Sequence, residues 1–238
     1  MARKPPILEK WDFILMLGES GAGKGTLVEG IKRHWLPEVN AAGMGDIFRR
    51  RATDDPEIKQ LTEQGVLIDD KVAYRIFCDF ADSNHPGLID GFPRNRQQAI
   101  NLIKFIKEKG WRVLVVDLHC NIDKIIERLL SRSRADDKLS IMYKRHTDHM
   151  NLHPAVMEEI KNRPDIFDVI TLNGNLNAEI VFSNFLLDVL RLVDMLNLYE
   201  LNNFEAAFNV YESETNINPA INRWLCGFLN KLQEREQR

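Results

Sequence analysis

Short apolar runs alternate with helical repeats along the first 190 residues of the chain. Five runs have the length of buried strands: Phe13–Leu17, Glu38–Ala41, Leu88–Asp90, Val113–Leu118 and Val169–Leu172. Between them, apolar residues recur every three or four positions, as in Gln97–Lys109 and Asp123–Arg132, which indicates amphipathic helices. Asp123 is predicted to lie in an N-cap region. This alternation predicts an α/β fold, in which helices cover both faces of a parallel sheet.

The chain changes character beyond residue 190. A helix that begins near Ala178 is predicted to continue to Leu201, where Asn202 and Asn203 interrupt it, and Asn218-Pro219 is typical of a helix start. One apolar stripe follows at Ile221, Leu225, Phe228 and Leu232. We interpret residues 191–238 as a helical C-terminal extension that packs on its own domain, with a dimer contact as the alternative.

Composition limits the class of protein. A chain of 238 residues buries about 70% of its unfolded surface, which favours one domain with small insertions. The net charge of −3 provides no overall field for nucleic acid or an anionic membrane, and neither is expected as a partner. The three cysteines form no CxxC pair, and no apolar run has the length of a membrane span or signal peptide. We therefore expect a cytoplasmic protein.

A glycine-rich loop, Gly18–Thr26, follows the first apolar run and precedes a helical repeat. Strand, glycine-rich loop and helix in this order are the context of a phosphate-binding loop, in which backbone N–H groups and a helix N-terminus face one anion. Lys24 adds a point charge for the outer phosphates.

A second motif, Asp90-Gly91-Phe92-Pro93-Arg94, begins at the end of the third apolar run. In open α/β sheets, ligands bind beyond the carboxyl ends of the strands, so this motif is expected near the phosphate loop. Asp90 is a candidate magnesium ligand through water, and Arg94 offers a two-pronged donor to a phosphate.

The two motifs together resemble those of the adenylate kinase family of nucleoside monophosphate kinases. The loop has Lys24-Gly25-Thr26 where the general phosphate-loop pattern has serine or threonine directly after the lysine. The resemblance implies a three-layer P-loop NTPase fold with a central five-stranded parallel sheet. Residues 1–190 would form the core, with small insertions for monophosphate binding (about 43–80) and a short lid (about 132–145).

The resemblance also implies the roles of individual residues. ATP would be bound by Gly21, Ala22, Gly23, Lys24, Gly25, Thr26, Arg128 and Arg132. AMP would be bound by Met44, Arg49, Val66, Leu67, Ile68, Gly91, Phe92, Pro93, Arg94, Gln98, Arg134 and Arg145. The catalytic set would be Lys24, Arg94, Arg132, Arg134 and Arg145, and Asp90 would hold Mg²⁺ through water.

The implied reaction is the magnesium-dependent conversion of ATP and AMP to two ADP by a monomer. Gln98 lies where the family reads adenine, but Met44 replaces the usual threonine, and kinases of UMP, CMP or dCMP are the alternative. Only Ser133 separates Arg132 from Arg134, and this short lid and the added extension motivate a nucleotide-binding regulator without turnover as a second alternative. An interaction protein that uses the extension is a third.

Other polar clusters receive no functional role from the sequence. His146, His149 and His153 fall on one helix face, which we interpret as a solvated face, because no acidic or cysteine partner lies near them in the sequence. Cys78 and Cys120 are expected to be inert core residues. The pairs Asp54-Asp55 and Asp69-Asp70 are expected to be turns or helix starts.

Overall fold

The computed structural model of the chain describes residues 10–51, 53, 69–132 and 139–192. Within these residues, strands and helices alternate. The strands are β1 (Phe13–Gly18), β2 (Asn40–Gly43), β3 (Gly87–Asp90), β4 (Val113–His119) and β5 (Phe167–Asn173). The helices are α1 (Lys24–His34), α2 (Met44–Arg51), α3 (Asp70–Ser83), α4 (Arg96–Lys109), α5 (Ile122–Arg132), α6 (Leu139–Lys161) and α7 (Ala178–Leu192).

The strands form one parallel sheet in the order β2-β3-β1-β4-β5, which confirms the predicted fold. Asp90 at the end of β3 pairs with Met16 of β1 on one side and with Gly43 of β2 on the other. Gly18 pairs with Leu118 near the end of β4. The carboxyl ends of four strands therefore meet along one edge of the sheet.

The two faces of β1 bury different cores. Ile14 and Met16 belong to a cluster that includes side chains of α1 and α7. Phe13, Leu15 and Leu17 belong to a second cluster with α2, α3, α4 and α6. Because successive side chains of a strand point to opposite faces, this division makes three layers, with the sheet in the middle.

Two predicted boundaries were wrong by a few residues. Strand β2 begins at Asn40, because the segment before it forms a turn in which the Val39 N–H donates to the Leu36 carbonyl (3.1 Å). Helix α5 begins at Ile122, which places Asp123 in its first turn rather than at the cap.

The other local predictions have mixed outcomes. Helix α7 begins at Ala178 as expected, and Asp69 caps α3 by accepting hydrogen bonds from two backbone N–H groups. Asp54-Asp55 and residues 193–238, and hence almost all of the predicted extension, lie outside the described residues. None of the described helices combines the length and the apolar character that a membrane crossing requires.

Candidate functional site

An open cleft of about 640 Å³ lies at the carboxyl edge of the sheet. Its walls come from the loop between β1 and α1, the segment after β3, and the first half of α6. Together with α2 and α5, these elements bring six of the predicted charged residues to one cleft: Lys24, Arg49, Asp90, Arg94, Arg128 and Arg145. A cleft with converging charged groups is the usual form of a binding site for a small charged ligand.

The loop after β1 has a shape that only glycine permits at its first position. Gly18 has φ of +125°, and a Cβ atom there would lie 2.3 Å from the carbonyl oxygen of Leu118. Gly23 has φ of +108° and directly precedes α1. The loop therefore turns tightly into the helix, and the unpaired N–H groups of the first helical turn lie beside the cleft.

Lys24 is held at the base of this loop. Its side chain is buried, and Nζ donates to the carbonyl oxygens of Gly18 and Glu19 at 2.9 Å each. Nζ also lies 3.5 Å from Oδ1 of Asp90. That carboxylate oxygen is buried and accepts no hydrogen bond from any described residue. The lysine thus joins the loop to the end of β3, and Asp90 keeps acceptor capacity.

Arg94 lies on the other side of Asp90, and its Nε donates to the Gly91 carbonyl (2.8 Å). The side chain is exposed at the open cleft, yet protein atoms surround it, and this desolvation lowers the pKa of its guanidinium group. Asp90 raises this pKa, whereas Arg145 and Arg49 lower it. Acidic side chains of the cleft, among them Asp90 and the Asp46 that pairs with Arg49, partly offset the positive charges. Arginine remains protonated at neutral pH, and a guanidinium group at this position can donate to a phosphate.

Arg128 supports the loop from α5, since Nη1 donates to the Ala22 carbonyl (3.1 Å). The side chain of Arg132 and the whole of Arg134 lie outside the described residues, as do Val66–Ile68.

Three predicted acceptor-site residues do not line the cleft. Met44 and Phe92 are each 1% exposed in the core. Gln98 is 2% exposed; its Nε2 donates to Oδ1 of Asp70 (2.8 Å) and its Oε1 accepts from the Arg94 backbone N–H (2.8 Å). In this structure Gln98 therefore holds the backbone of Arg94, and Asp70 is a further polar residue that sequence reasoning missed.

The expectation of a solvated histidine face on α6 was wrong. His146 Nδ1 lies 2.9 Å from Oε2 of the buried Glu19, and His153 Nε2 lies 2.9 Å from Oδ1 of the buried Asp117. His149 stacks on His153, with 4.4 Å between ring centroids. The acidic partners are distant in sequence, and only the packing of α6 over the sheet edge brings them together.

The two described cysteines agree with the expectation of unreactive thiols. Both are partly buried next to apolar clusters. Burial raises the pKa of the Cys78 and Cys120 thiols, and a protonated thiol is a poor nucleophile.

Stability should depend on pH through His149. Burial first, and then the charges of His153 and Lys24, lower the pKa of His149 to about 4 from an ordinary value of 6.5. Between these values the unfolded chain binds a proton that the folded chain does not, so His149 lowers stability as the pH falls through this window. When the pH is lowered from about 7.5 to about 4.5, we expect the unfolding free energy of His149→Gln to rise by about 1–3 kcal/mol relative to that of the wild type.

Urea unfolding of both proteins at the two pH values measures this difference. The exposed His34 supplies the matched control, His34→Gln, which should leave the pH dependence of the wild type unchanged. Equal pH dependence in His149→Gln and the wild type would contradict the assignment.

The chain is similar in sequence to known proteins over most of its length. The sequence model of the adenylate kinase family matches residues 16–188. An adenylate kinase of Azobacteroides pseudotrichonymphae is 31% identical over 181 residues, which are 71% of this chain and 92% of the relative. An adenylate kinase of a Nocardioides species is 31% identical over 168 residues (66% of this chain, 87% of the relative). Adenylate kinase 1 of a Synechocystis species is 28% identical over 180 residues (72% and 93%).

Proposed function

We propose that this chain, which belongs to the adenylate kinase family, is a magnesium-dependent nucleoside monophosphate kinase that transfers the γ-phosphate of ATP to AMP and forms two ADP. The observation that carries the proposal is the convergence of Lys24 and Arg94 on Asp90, beside the N-terminus of α1. Positive groups and main-chain N–H donors then surround one point of the cleft, as phosphoryl transfer requires.

The proposed role of each residue follows from its position in the cleft. The loop before α1, Lys24 and Arg132 would hold the phosphates of the donor, and Arg128 would lie on the donor base. Arg49, Arg94, Arg134 and Arg145 would hold the acceptor phosphate and the group in transfer. The acceptor is already an anion and needs no general base, so the protein acts by positioning and by stabilising the charge of the transition state. Closure of the lid would exclude water and so prevent hydrolysis of ATP.

Asp90 fits the predicted magnesium site. It carries a buried carboxylate oxygen without a hydrogen bond from any described residue, and Mg²⁺ prefers oxygen ligands and retains several waters. When bound, the ion would neutralise phosphate charge and orient the phosphates. Lys24, at 3.5 Å from the same oxygen, would share the phosphates with it.

AMP is the proposed acceptor, and the relatives named adenylate kinase support it. To read adenine, the Gln98 amide group would have to exchange its hydrogen bond to Asp70 for one to the base. A pyrimidine monophosphate kinase is the second candidate, because Gln98 is engaged with Asp70 rather than with the cleft.

A coupled assay of ADP formation with ATP and Mg²⁺ tests the proposal against AMP, CMP, UMP and dCMP. We expect AMP to be phosphorylated at least about ten times more efficiently than the others, since a site that hydrogen-bonds one base rejects the alternatives. Activity should disappear when EDTA removes the metal. Preference for a pyrimidine would replace the acceptor, and ATP binding without any ADP formation would instead favour a nucleotide-binding regulator.

The remaining proposals concern assembly. We propose a cytoplasmic monomer whose core spans residues 1–190 and whose extension, residues 191–238, packs on that core. Analytical ultracentrifugation of the full chain and of a chain ending at Leu192, the last residue of α7, tests this. A change from dimer to monomer on truncation would assign the extension to assembly.

A further inference from the structure

Three side chains that the proposed kinase reaction does not use meet at the carboxyl end of β4. Asp117 and His119 are two residues apart on β4 and so point to the same face of the sheet. His153 reaches them from α6, which crosses that face. One ligand atom of each residue lies within 4.8 Å of the ligand atoms of the other two.

Asp117 is the centre of this cluster. It is 2% exposed, Oδ2 lies 2.7 Å from His119 Nε2, and Oδ1 lies 2.9 Å from His153 Nε2. The second pair is close but does not meet hydrogen-bond geometry, and neither of its atoms has another hydrogen-bond partner among the described residues. Buried polar atoms without partners are uncommon and costly. A cation between the oxygen and the nitrogen would satisfy both.

We propose that Asp117, His119 and His153 form a binding site for a divalent transition metal ion, with Zn²⁺ as the representative ligand. Two imidazole nitrogens and one carboxylate oxygen suit Zn²⁺ and its neighbours, Co²⁺, Ni²⁺ and Cu²⁺. Mg²⁺ prefers oxygen ligands, so this site differs in chemistry from the proposed magnesium site at Asp90. Three protein ligands leave a fourth position for water.

The ligands need only small movements to accept an ion. His119 and His153 now lie at 2.7 and 2.9 Å from different oxygens of Asp117, whereas ligands at ~2.1 Å from a tetrahedral ion are separated by roughly 3.4 Å. The His119 side chain is 55% exposed and is free to move outward. Asp117 and His153 are held by the sheet and by α6, and they provide a rigid half of the site.

A bound ion would link β4 to α6. Helix α6 also carries Arg145 and His146, which face the cleft and the phosphate loop. The metal would fix α6 to the sheet at His153. It would also stabilise the folded chain, because a ligand that binds only the folded state raises the free energy of unfolding.

The full chain, freed of metal with EDTA and dialysed, tests the proposal in the absence of nucleotide. Titration with Co²⁺, followed by its visible absorption bands, and competition with Zn²⁺ give the stoichiometry and affinity. We expect one ion per chain and a higher unfolding temperature with Zn²⁺.

Variants locate the site. His119→Ala removes an exposed ligand with little risk to folding, and Asp117→Asn removes the charge without changing the size of the side chain. Each should weaken Zn²⁺ binding at least about 100-fold. His34→Ala, which removes an exposed histidine of α1, should bind like the wild type.

Two results would overturn the proposal. One is a wild-type chain that takes up no ion at ~0.1 mM Zn²⁺, since a site with three protein ligands should bind Zn²⁺ well below this concentration. The other is an affinity that His119→Ala and Asp117→Asn leave unchanged, since the ion would then bind elsewhere. Because no nucleotide is present, neither result depends on whether the chain is a kinase.

Discussion

Lys24→Ala should reduce phosphoryl transfer by ~10³-fold or more while the fold persists. In the structure Nζ of Lys24 is the cation nearest to Asp90 among the contacts described for that carboxylate (3.5 Å), and it lies at the base of the phosphate loop. A loss of 10³-fold corresponds to about 4 kcal/mol of transition-state stabilisation. The carbonyl groups of Gly18 and Glu19 would lose a donor, but they border an open cleft and can bind water.

Steady-state kinetics with ATP and AMP, together with circular dichroism and urea unfolding, measure the two parts of this prediction. Lys24→Met keeps the aliphatic stem and should be as inactive as Lys24→Ala, which separates the loss of charge from the loss of packing. Lys32→Ala is the matched control, because this exposed lysine lies in the last turn of the same helix. Turnover near the wild-type level in Lys24→Ala would remove the lysine from the proposed mechanism.

The phosphate loop was predictable because the strand, the glycines and the helix lie within residues 13–34. The steric need for glycine at position 18 was not predictable, since it comes from the Leu118 carbonyl oxygen of β4. The position of Asp90 beside the loop needed one further step. The ends of parallel strands lie at one edge of a sheet, and β3 pairs directly with β1.

The roles of polar side chains that depend on tertiary contacts were not predictable. His146 and Glu19 are 127 residues apart in the chain, and the amphipathic pattern of α6 gave no sign that its histidines face buried carboxylates. Gln98 shows the same limit over a shorter distance. Asp70, its hydrogen-bond partner, lies 28 residues earlier on another helix, and its own position suggested only a helix start.

Boundaries failed where a backbone hydrogen bond competed with the pattern. The sequence around Glu38 and Val39 is typical of a strand. In the structure, however, the Val39 N–H donates to the Leu36 carbonyl in the turn after α1, and β2 therefore begins at Asn40. The hydrophobic pattern predicts which residues are buried, but it does not predict which backbone N–H groups form hydrogen bonds in a turn.

Arg94→Ala is expected to separate activity from stability more clearly than any other single change. Arg94 shares the cleft with Asp90, which raises its pKa, and with Arg145 and Arg49, which lower it, so attraction and repulsion oppose each other in the absence of a phosphate. Removal of Arg94 eliminates both, together with one hydrogen bond to Gly91. The unfolding free energy should therefore change by less than about 1 kcal/mol.

Transfer, in contrast, should fall by ~10³-fold or more, because the remaining arginines cannot replace a two-pronged contact to the phosphate. Arg94→Lys keeps a positive charge but lacks the planar guanidinium group that donates two parallel hydrogen bonds, and we expect it to retain only part of the activity. AMP should raise the unfolding temperature of the wild type and much less that of Arg94→Ala, since stabilisation by a ligand follows its affinity.

Arg96→Ala provides the matched control for both measurements. This arginine lies two residues further along the chain, is exposed, and pairs with Glu159 outside the cleft. It should keep both the turnover and the response to AMP, as exposed ion pairs contribute little. If Arg94→Ala and Arg96→Ala behave alike, Arg94 does not bind the acceptor phosphate, and it loses its place in the proposed mechanism.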